Sequence, residues 1–186
     1  MVQQTPKSVI QEYVEAIVMA VVLAAFIMTF IARSFSVEGY SMEPTLHNGE
    51  RLLVDELTYR FREPRRGEIV VLRFPANPRM RFIKRVIGVP GDNILIQGGR
   101  VILNGRPLEE EYISEPIQGD YGPYVVPPES YFVLGDNRNH SEDSRYPAVG
   151  YVPKRLIVGR AILRYWPLTR IGLVRLPAPW DNAAVP

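Results

Sequence analysis

The sequence of 186 residues contains no cysteine and only two histidines. Without cysteine the chain can form no disulfide, no thiolate nucleophile and no cysteine-ligated metal site, so its composition is compatible with reducing and oxidising compartments alike. Two histidines are too few for a histidine-rich metal centre. The 22 basic and 20 acidic residues give a net charge of only +2, so no strongly basic field indicates nucleic acid. We therefore expect neither such a metal centre nor a nucleic-acid partner.

One long run without charge, AIVMAVVLAAFIMTFIA, occupies Ala16–Ala32 between Glu15 and Arg33. As a helix it would extend for about 25 Å, which is near the lower limit for crossing a bilayer. A cleaved signal peptide usually has an apolar core of only about 7–15 residues, and a helix packed on a soluble core would carry a polar stripe. The run therefore predicts a transmembrane helix at residues 14–33, after a short tail at residues 1–13.

After Phe35 the sequence changes to short apolar runs with the spacing of β-strands. These runs are RLLVDEL, EIVVLRF, RFIKRVIGV, NILIQ, RVILNG, YFVLGD and LIVGRAILRYW. Gly98-Gly99 and Asn104-Gly105 are turn signals of the kind found in hairpins. The Pro- and Gly-rich stretch YISEPIQGDYGPYVVPPES predicts an extended loop or edge insertion. We therefore expect one mainly antiparallel β domain at residues 34–175 and a tail at residues 176–186.

Two residues in different runs suggest a nucleophile and its base. Ser41 lies in EGYSMEPTL, on a predicted turn between two apolar runs. In RMRFIKRVIGVPGD, strand alternation places Lys84 on one face with Met80, Phe82 and Val86. Such a lysine can pack its stem on the core while its ammonium reaches water. Alternatively, burial lowers its pKa, and the neutral amine accepts the serine proton as in known Ser-Lys variants.

A polar loop, GDNRNHSEDSR, follows the apolar run YFVL. Its composition is that of a solvated turn, but a loop that follows a buried strand can also carry site residues on a rigid scaffold. In that case Ser141 could orient the lysine through its hydroxyl, and Asp143 could pair with Arg145. His140 offers a rival base with Asp143 as its orienting partner, so a Ser41–His140–Asp143 triad stays open as an alternative.

Four of these stretches, in this order, resemble the motifs of type I signal peptidases, the membrane-bound serine proteases that remove signal peptides from exported proteins. The stretches are YSMEPTL, RGEIVVLRFP, RFIKRVIGVPGD and GDNRNHSEDSR. The resemblance spans most of the sequence from Phe35 to Trp166, and the ordered set is far more specific than any single motif. It implies Ser41 as the nucleophile and Lys84 as the general base. It also implies supporting roles for Ser141, Asp143, Arg145 and Asp136.

The resemblance further implies a fold of antiparallel β-sheets at a membrane surface, and a mechanism. Ser41 attacks the carbonyl after a small residue and forms an acyl-enzyme, while Lys84 takes the serine proton, gives it to the leaving amine and then activates water. Neither a metal nor a cofactor is implied. Family members read Ala-x-Ala through two shallow apolar pockets, and the wall residues expected by position are Phe35, Val37, Leu46, Phe82 and Ile83.

Two positions depart from the pattern of many family members. A Ser or Thr often stands two residues before the nucleophile and supplies an oxyanion hydroxyl, whereas this sequence has Gly39, so the oxyanion would rest mainly on the Ser41 backbone N–H. Asn139-His140 stands where many members have Asp-Asn. This keeps the histidine alternative in view, because a relative in the endoplasmic reticulum uses histidine in place of the lysine, but the presence of Lys84 favours the lysine.

The predicted function is therefore the removal of signal peptides from exported preproteins. Its expected partners are preprotein signal peptides and membrane lipid, with the protein-export machinery as a further candidate. The expected location is a plasma membrane, or a thylakoid or other organellar membrane, crossed once with the catalytic domain on the outer side. Two other functions remain as alternatives: a self-cleaving Ser-Lys protease of the repressor type, and a membrane-tethered β module that binds a partner without catalysis.

Overall fold

The computed structural model describes residues 8–30 and 32–177, and the side chains of all of these except residues 24–30 and 32. The described residues form one α-helix, α1 (Val9–Phe30), twelve β-strands and four short 3-10 helices. The strands are β1 (Ala32–Ser36), β2 (Arg51–Asp55), β3 (Ile69–Phe74), β4 (Asn77–Gly88), β5 (Asn93–Gln97), β6 (Arg100–Leu103), β7 (Arg106–Pro107), β8 (Tyr121–Val125), β9 (Ser130–Leu134), β10 (Val152–Pro153), β11 (Ile157–Trp166) and β12 (Gly172–Leu173). The 3-10 helices are Thr58–Arg60, Arg138–His140, Lys154–Leu156 and Leu168–Arg170.

The strands form two antiparallel sheets. The larger sheet has the order β1-β2-β11-β3-β4-β9-β10, and β12 pairs with β11 beside this path. The smaller sheet has the order β7-β6-β5-β8. Every strand pair is antiparallel. The prediction of a mainly β, antiparallel fold with one helix is confirmed.

Burial follows the position of each strand in its sheet. In β2 the side chains of Leu52 and Val54 are fully buried while their neighbours are exposed or half-buried, which is the alternation of a strand with one covered face. In β3, by contrast, Ile69–Leu72 are all buried, because this strand lies inside the larger sheet and is covered on both faces. The smaller sheet contributes its buried side chains, such as Ile94 and Val101, to a core shared with β4 and β9.

All seven predicted strands are present, and both predicted turns connect paired strands of the smaller sheet. Gly98 and Gly99 have φ of 60° and 79° in the turn from β5 to β6, a left-handed conformation that glycine adopts without strain. The predicted edge insertion contains β8, which is an edge strand of the smaller sheet. The sequence patterns did not reveal β1, because its residues ARSFS carry little apolar character.

The predicted transmembrane helix corresponds to α1, which begins before the predicted segment and ends at Phe30. No helix in residues 8–30 and 32–177 is long and apolar enough to cross a membrane. The predicted anchor extends over side chains outside the described part of the chain, and so does most of the predicted C-terminal tail. Both therefore stay predictions.

The topology brings three distant segments together. The loop after β1 returns the chain to β2 at one edge of the larger sheet. On the sheet itself β4 lies between β3 and β9, with Lys84 opposite Val70 and Arg85 opposite Leu134. The polar loop begins directly after Leu134, so it starts beside the middle of β4. The predicted nucleophile, base and supporting residues are thus carried by neighbouring parts of the fold.

Candidate active site

The candidate nucleophile lies on the loop between β1 and β2. The loop is closed at its base because the Val37 N–H donates to Glu50 O over 2.8 Å. Its interior is fixed by Met42 and Leu46, whose side chains are each only 1% exposed and belong to one core cluster. Ser41 is half-buried between these anchors. The packing of its neighbours therefore helps to set its position.

Gly39 shapes the approach to this serine. Its φ is 88°, which lies in the left-handed region that other residues adopt only with strain. Its N–H donates to the side-chain oxygen of Asn48 over 2.9 Å. Glycine is thus required here by the backbone, which accounts for the departure from a Ser or Thr at this position.

Lys84 reaches the serine from β4. Its side chain is 4% exposed, and its Nζ lies 2.7 Å from the Ser41 Oγ, within hydrogen-bonding distance. The Nζ also lies 5.1 Å from the centre of the Phe82 ring, two residues away on the same face of the strand. The apolar face predicted for this lysine is therefore observed, and the amine meets the serine hydroxyl instead of bulk water.

The surroundings of Lys84 lower its pKa to about 8. Burial is the largest cause, because the ammonium form loses its hydration in this environment. The carboxylates of Asp143, Glu142 and Asp136 act in the opposite direction, whereas the guanidinium of Arg145 adds to the lowering. Loss of hydration outweighs the carboxylates, so a substantial fraction of the amine is neutral near physiological pH.

A buried ion pair stands next to the lysine. Arg85 is 1% exposed and Asp136 is fully buried, and two hydrogen bonds of 2.8 and 2.5 Å join them. The Thr45 hydroxyl donates to the same carboxylate over 2.6 Å. The Arg85 guanidinium also donates to the Gly67 carbonyl. Because its partners come from the nucleophile loop, β4 and the polar loop, this pair connects all three segments.

The other predicted supporting residues lie in the polar loop. Asp143 is fully buried and accepts two hydrogen bonds of 2.8 and 2.9 Å from Arg145, and a third from the Gly135 N–H. The expected Asp143–Arg145 pairing is thus observed. Ser141 is 5% exposed, but its hydroxyl makes no hydrogen bond with the described residues. The hypothesis that Ser141 orients Lys84 by a direct hydrogen bond is not supported by this geometry.

A cleft of about 760 Å³ opens beside Ser41 and Lys84. Of the expected wall residues, four line it: Phe35, Val37, Phe82 and Ile83. Leu46 is not among the described residues that line the cleft. It lies in the core beneath the nucleophile loop because a turn, closed by the hydrogen bond from its N–H to Met42 O, directs its side chain inward. This corrects the assignment of Leu46 as a wall residue.

The rival base His140 lines the same cleft but does not form the alternative triad. Its side chain is 74% exposed, and its Nδ1 lies 3.2 Å from the Asn137 side-chain oxygen and 3.9 Å from Glu115. Asp143, its proposed orienting partner, instead binds Arg145. Elsewhere in residues 8–30 and 32–177 no group of three or more metal-ligating side chains could hold a metal ion. The arrangement of Ser41 and Lys84 can support nucleophilic attack by a serine whose proton is taken by a neutral amine.

Comparison with known proteins identifies the family of the chain. The sequence profile of the family described as "Signal peptidase, peptidase S26" matches residues 10–166. A signal peptidase I of Leptolyngbya laminosa is 45% identical over 177 residues, which cover 91% of this chain and 86% of the relative. The chain belongs to the peptidase S26 family.

Two further proteins named signal peptidases match the chain over different extents. A protein of Synechocystis sp. named probable signal peptidase I-2 is 40% identical over 198 residues, covering 98% of this chain and 90% of the relative. A crystal structure of a signal peptidase I from Enterococcus faecalis V583 is 32% identical, covers 53% of this chain and 97% of that chain, and has a TM-score of 0.47.

Three residues at this S26 site were not singled out from the sequence: Arg85, Thr45 and Asn137. The Asn137 N–H donates to Ser41 O over 3.0 Å, and its side-chain amide donates to Tyr40 O over 3.1 Å. Arg85 had a detectable signal, because strand alternation places it on the same face as Ile83 and Ile87, and a buried arginine requires a partner. Thr45 and Asn137 had none, since their roles depend on contacts between loops.

The buried ion pair generates a stability prediction. Replacing Asp136→Asn keeps the shape of the side chain but leaves the Arg85 charge buried without a carboxylate. We expect the free energy of unfolding to fall by about 3–5 kcal/mol, measured by urea denaturation.

The matched control is Glu63→Gln, which also removes a carboxylate from a cation, Lys154, at a site where Glu63 is 64% and Lys154 37% exposed. The oxygen of the new amide can still accept the hydrogen bond from the Tyr131 hydroxyl. This change should lower the free energy of unfolding by no more than about 1 kcal/mol. Equal effects of the two substitutions would contradict the special importance of the Arg85–Asp136 pair.

Proposed function

We propose that this chain is a type I signal peptidase, a membrane-anchored serine endopeptidase that cleaves signal peptides from exported preproteins with a Ser41–Lys84 dyad. The observation that carries the proposal is the 2.7 Å contact between the Ser41 Oγ and the Nζ of a buried lysine. Membership of the S26 family and the names of its relatives support the choice of substrate. The self-cleaving protease and the inactive β module have no comparable support.

The proposed reaction begins with proton transfer from Ser41 to neutral Lys84. With a pKa of about 8, about one fifth of the amine is neutral at pH 7.4, compared with about one in a thousand for an ordinary lysine. The serine oxygen attacks the scissile carbonyl, and Lys84 then gives the proton to the leaving amine. In the second half of the cycle the same amine activates the water that hydrolyses the acyl-enzyme.

The oxyanion is proposed to rest mainly on the backbone N–H of Ser41. Gly39 supplies no hydroxyl, and its conformation favours glycine at that position. Asn137 supports this arrangement indirectly, because its two hydrogen bonds hold the carbonyls of Tyr40 and Ser41 and thereby fix the peptide planes next to the oxyanion site. Fixed donors of this kind stabilise developing charge without reorganisation during the reaction.

The membrane anchor is proposed to be α1 together with the apolar residues that follow it. In the described side chains of this helix, large apolar residues are exposed all around its surface. These are Val9, Ile10, Tyr13, Val14, Ile17, Val18, Met19, Val21, Val22 and Leu23. Ser41 follows Arg33 by eight residues, which span at most about 28 Å when extended. The serine would therefore act close to the bilayer surface, where the cleavage site of a signal peptide emerges.

The dyad is tested by cleavage of a preprotein with purified enzyme. Ser41→Ala and Lys84→Ala should each lose at least about a thousand-fold in kcat. Lys84→Arg should fail as well, because guanidinium keeps its proton in this pH range. In the unmodified enzyme, kcat/KM should rise with pH through about 8, since only the neutral amine can accept the serine proton.

His140→Ala is the matched control, because His140 is a titratable residue that lines the same cleft. It should keep kcat within about threefold and leave the pH profile unchanged. If His140→Ala were as inactive as Ser41→Ala, or if Lys84→Arg kept full activity, the lysine would not be the base.

The shape of the cleft predicts specificity for small side chains one and three residues before the cut. The walls formed by Phe35, Val37, Phe82 and Ile83 are apolar and bulky, so a larger substrate side chain must clash or distort the site. Changing Ala to Leu at either substrate position should reduce kcat/KM by at least about 100-fold. Unchanged rates for both substrates would count against shallow pockets at this site.

The orientation is tested with protease added to spheroplasts. The β domain should be digested in intact spheroplasts, because the proposed catalytic domain lies on the outer side, where exported chains emerge. A cytoplasmic protein serves as the control for intact membranes. Protection of the β domain until lysis would contradict the orientation.

A further inference from the structure

Several chain segments meet at one end of the larger sheet, next to the C-terminal end of α1, which we call the exit of α1. Ala32, where β1 begins, pairs with Asp55, so the 3-10 helix that follows β2 lies at this end. Arg160 also pairs with Asp55, and β11 runs to it from Ile157. The 3-10 helix before β11 and the tip of the β3–β4 hairpin therefore lie at the same end.

A second cleft of about 490 Å³ lies among these segments, away from Ser41. We call it the basic cleft. Four cations line it, together with two carboxylates: Arg60, Arg73, Lys154 and Arg155, with Glu56 and Glu129. None of these residues lines the cleft beside Ser41 and Lys84.

The charges of the basic cleft are only partly neutralised. Lys154 pairs with Glu63, and Glu56 pairs with Arg33 over 3.4 Å. Arg60, Arg73 and Arg155 are exposed, and their guanidinium groups make no hydrogen bond or ion pair within the described part of the chain.

Three unpaired guanidinium groups around one concave surface repel each other, and of the two carboxylates that line it, Glu56 is already paired with Arg33. Guanidinium groups are planar donors that match the oxygen geometry of phosphate. This surface is therefore complementary to a phosphate-bearing anion.

An exposed aromatic side chain accompanies these cations. Phe61 directly follows Arg60 and is 82% exposed. Exposed apolar residues next to arginines are typical of protein surfaces that meet the headgroup region of a bilayer. A site that binds a free anion would not require exposed apolar residues beside its arginines.

We propose that the basic cleft binds the phosphate of an anionic lipid headgroup beside the exit of α1. This binding would fix the height and tilt of the β domain above the bilayer, and with them the depth of Ser41. The proposal rests on the proposed anchoring of α1, but it does not depend on the assignment of Ser41 and Lys84.

The absence of cysteine allows a direct test with one label. Ala76→Cys lies at the exposed tip of the β3–β4 hairpin and can carry an environment-sensitive fluorophore. The full chain is reconstituted into vesicles of phosphatidylcholine alone or of phosphatidylcholine with phosphatidylglycerol, each with a quencher attached to a fraction of the headgroups. We expect stronger quenching with phosphatidylglycerol, and we expect the excess to fall as salt concentration rises.

The test variant carries Arg60→Gln, Arg73→Gln and Arg155→Gln, and it should lose the excess quenching. The control variant carries Arg51→Gln, Arg100→Gln and Arg106→Gln, which remove the same charge from exposed residues away from the basic cleft. The control should keep the excess. Equal quenching in both kinds of vesicle, or equal loss in both variants, would overturn the proposal.

Two further arms separate the remaining explanations. Inorganic phosphate added at constant ionic strength should not reduce the quenching, and a reduction would assign the cleft to free phosphate instead of lipid. Cleavage of a soluble peptide in detergent should be the same for the test and control variants, which shows that both are folded. Loss of that activity in Ser41→Ala with unchanged quenching would keep the lipid site separate from the catalytic proposal.

Discussion

The buried ion pair between Arg85 and Asp136 is the interaction on which the geometry of the site depends. Two charges without water are stable only when each satisfies the other and the remaining hydrogen-bonding groups are filled. Here Thr45 and the Gly67 carbonyl complete the set. Because these partners belong to separate segments, the requirement to keep the pair intact also keeps the nucleophile loop, β4 and the polar loop in register.

Strand β4 carries two adjacent buried basic residues, Lys84 and Arg85, which differ in whether a carboxylate binds them directly. Arg85 has the carboxylate of Asp136 as its direct partner. Lys84 has no such partner, because Asp136 is bound to Arg85 and Asp143 is bound to Arg145. Both carboxylates are close enough to oppose the lowering of the lysine pKa, but neither hydrogen-bonds the amine within the described residues. The pairing of the surrounding charges thus leaves Lys84 able to lose its proton.

The sequence predicted the β architecture well, since strands such as β3 and β5 carry strong periodicity and glycine turns mark their ends. It also predicted the facing of Lys84, because strand alternation fixes the side of the sheet. It could not predict β1, whose residues ARSFS carry little apolar character, or the inward direction of Leu46, which depends on the local turn that begins at Met42. Contacts between loops could not be predicted either. The hydrogen bonds from Asn137 to Tyr40 and Ser41 join residues far apart in the sequence, and they produce no periodic pattern in it.

Gly135 shows how little freedom the region around the serine has. A Cβ built on this glycine would lie 2.5 Å from the Ser41 carbonyl oxygen and equally close to the Ser141 Cβ. Two stretches of main chain therefore touch here with no side chain between them. For the design of covalent inhibitors, this means that the reactive atom is presented in nearly the same way whatever side chains surround it. Selectivity between related enzymes has to be sought along the walls of the cleft, where side chains such as Phe35 and Phe82 form the surface.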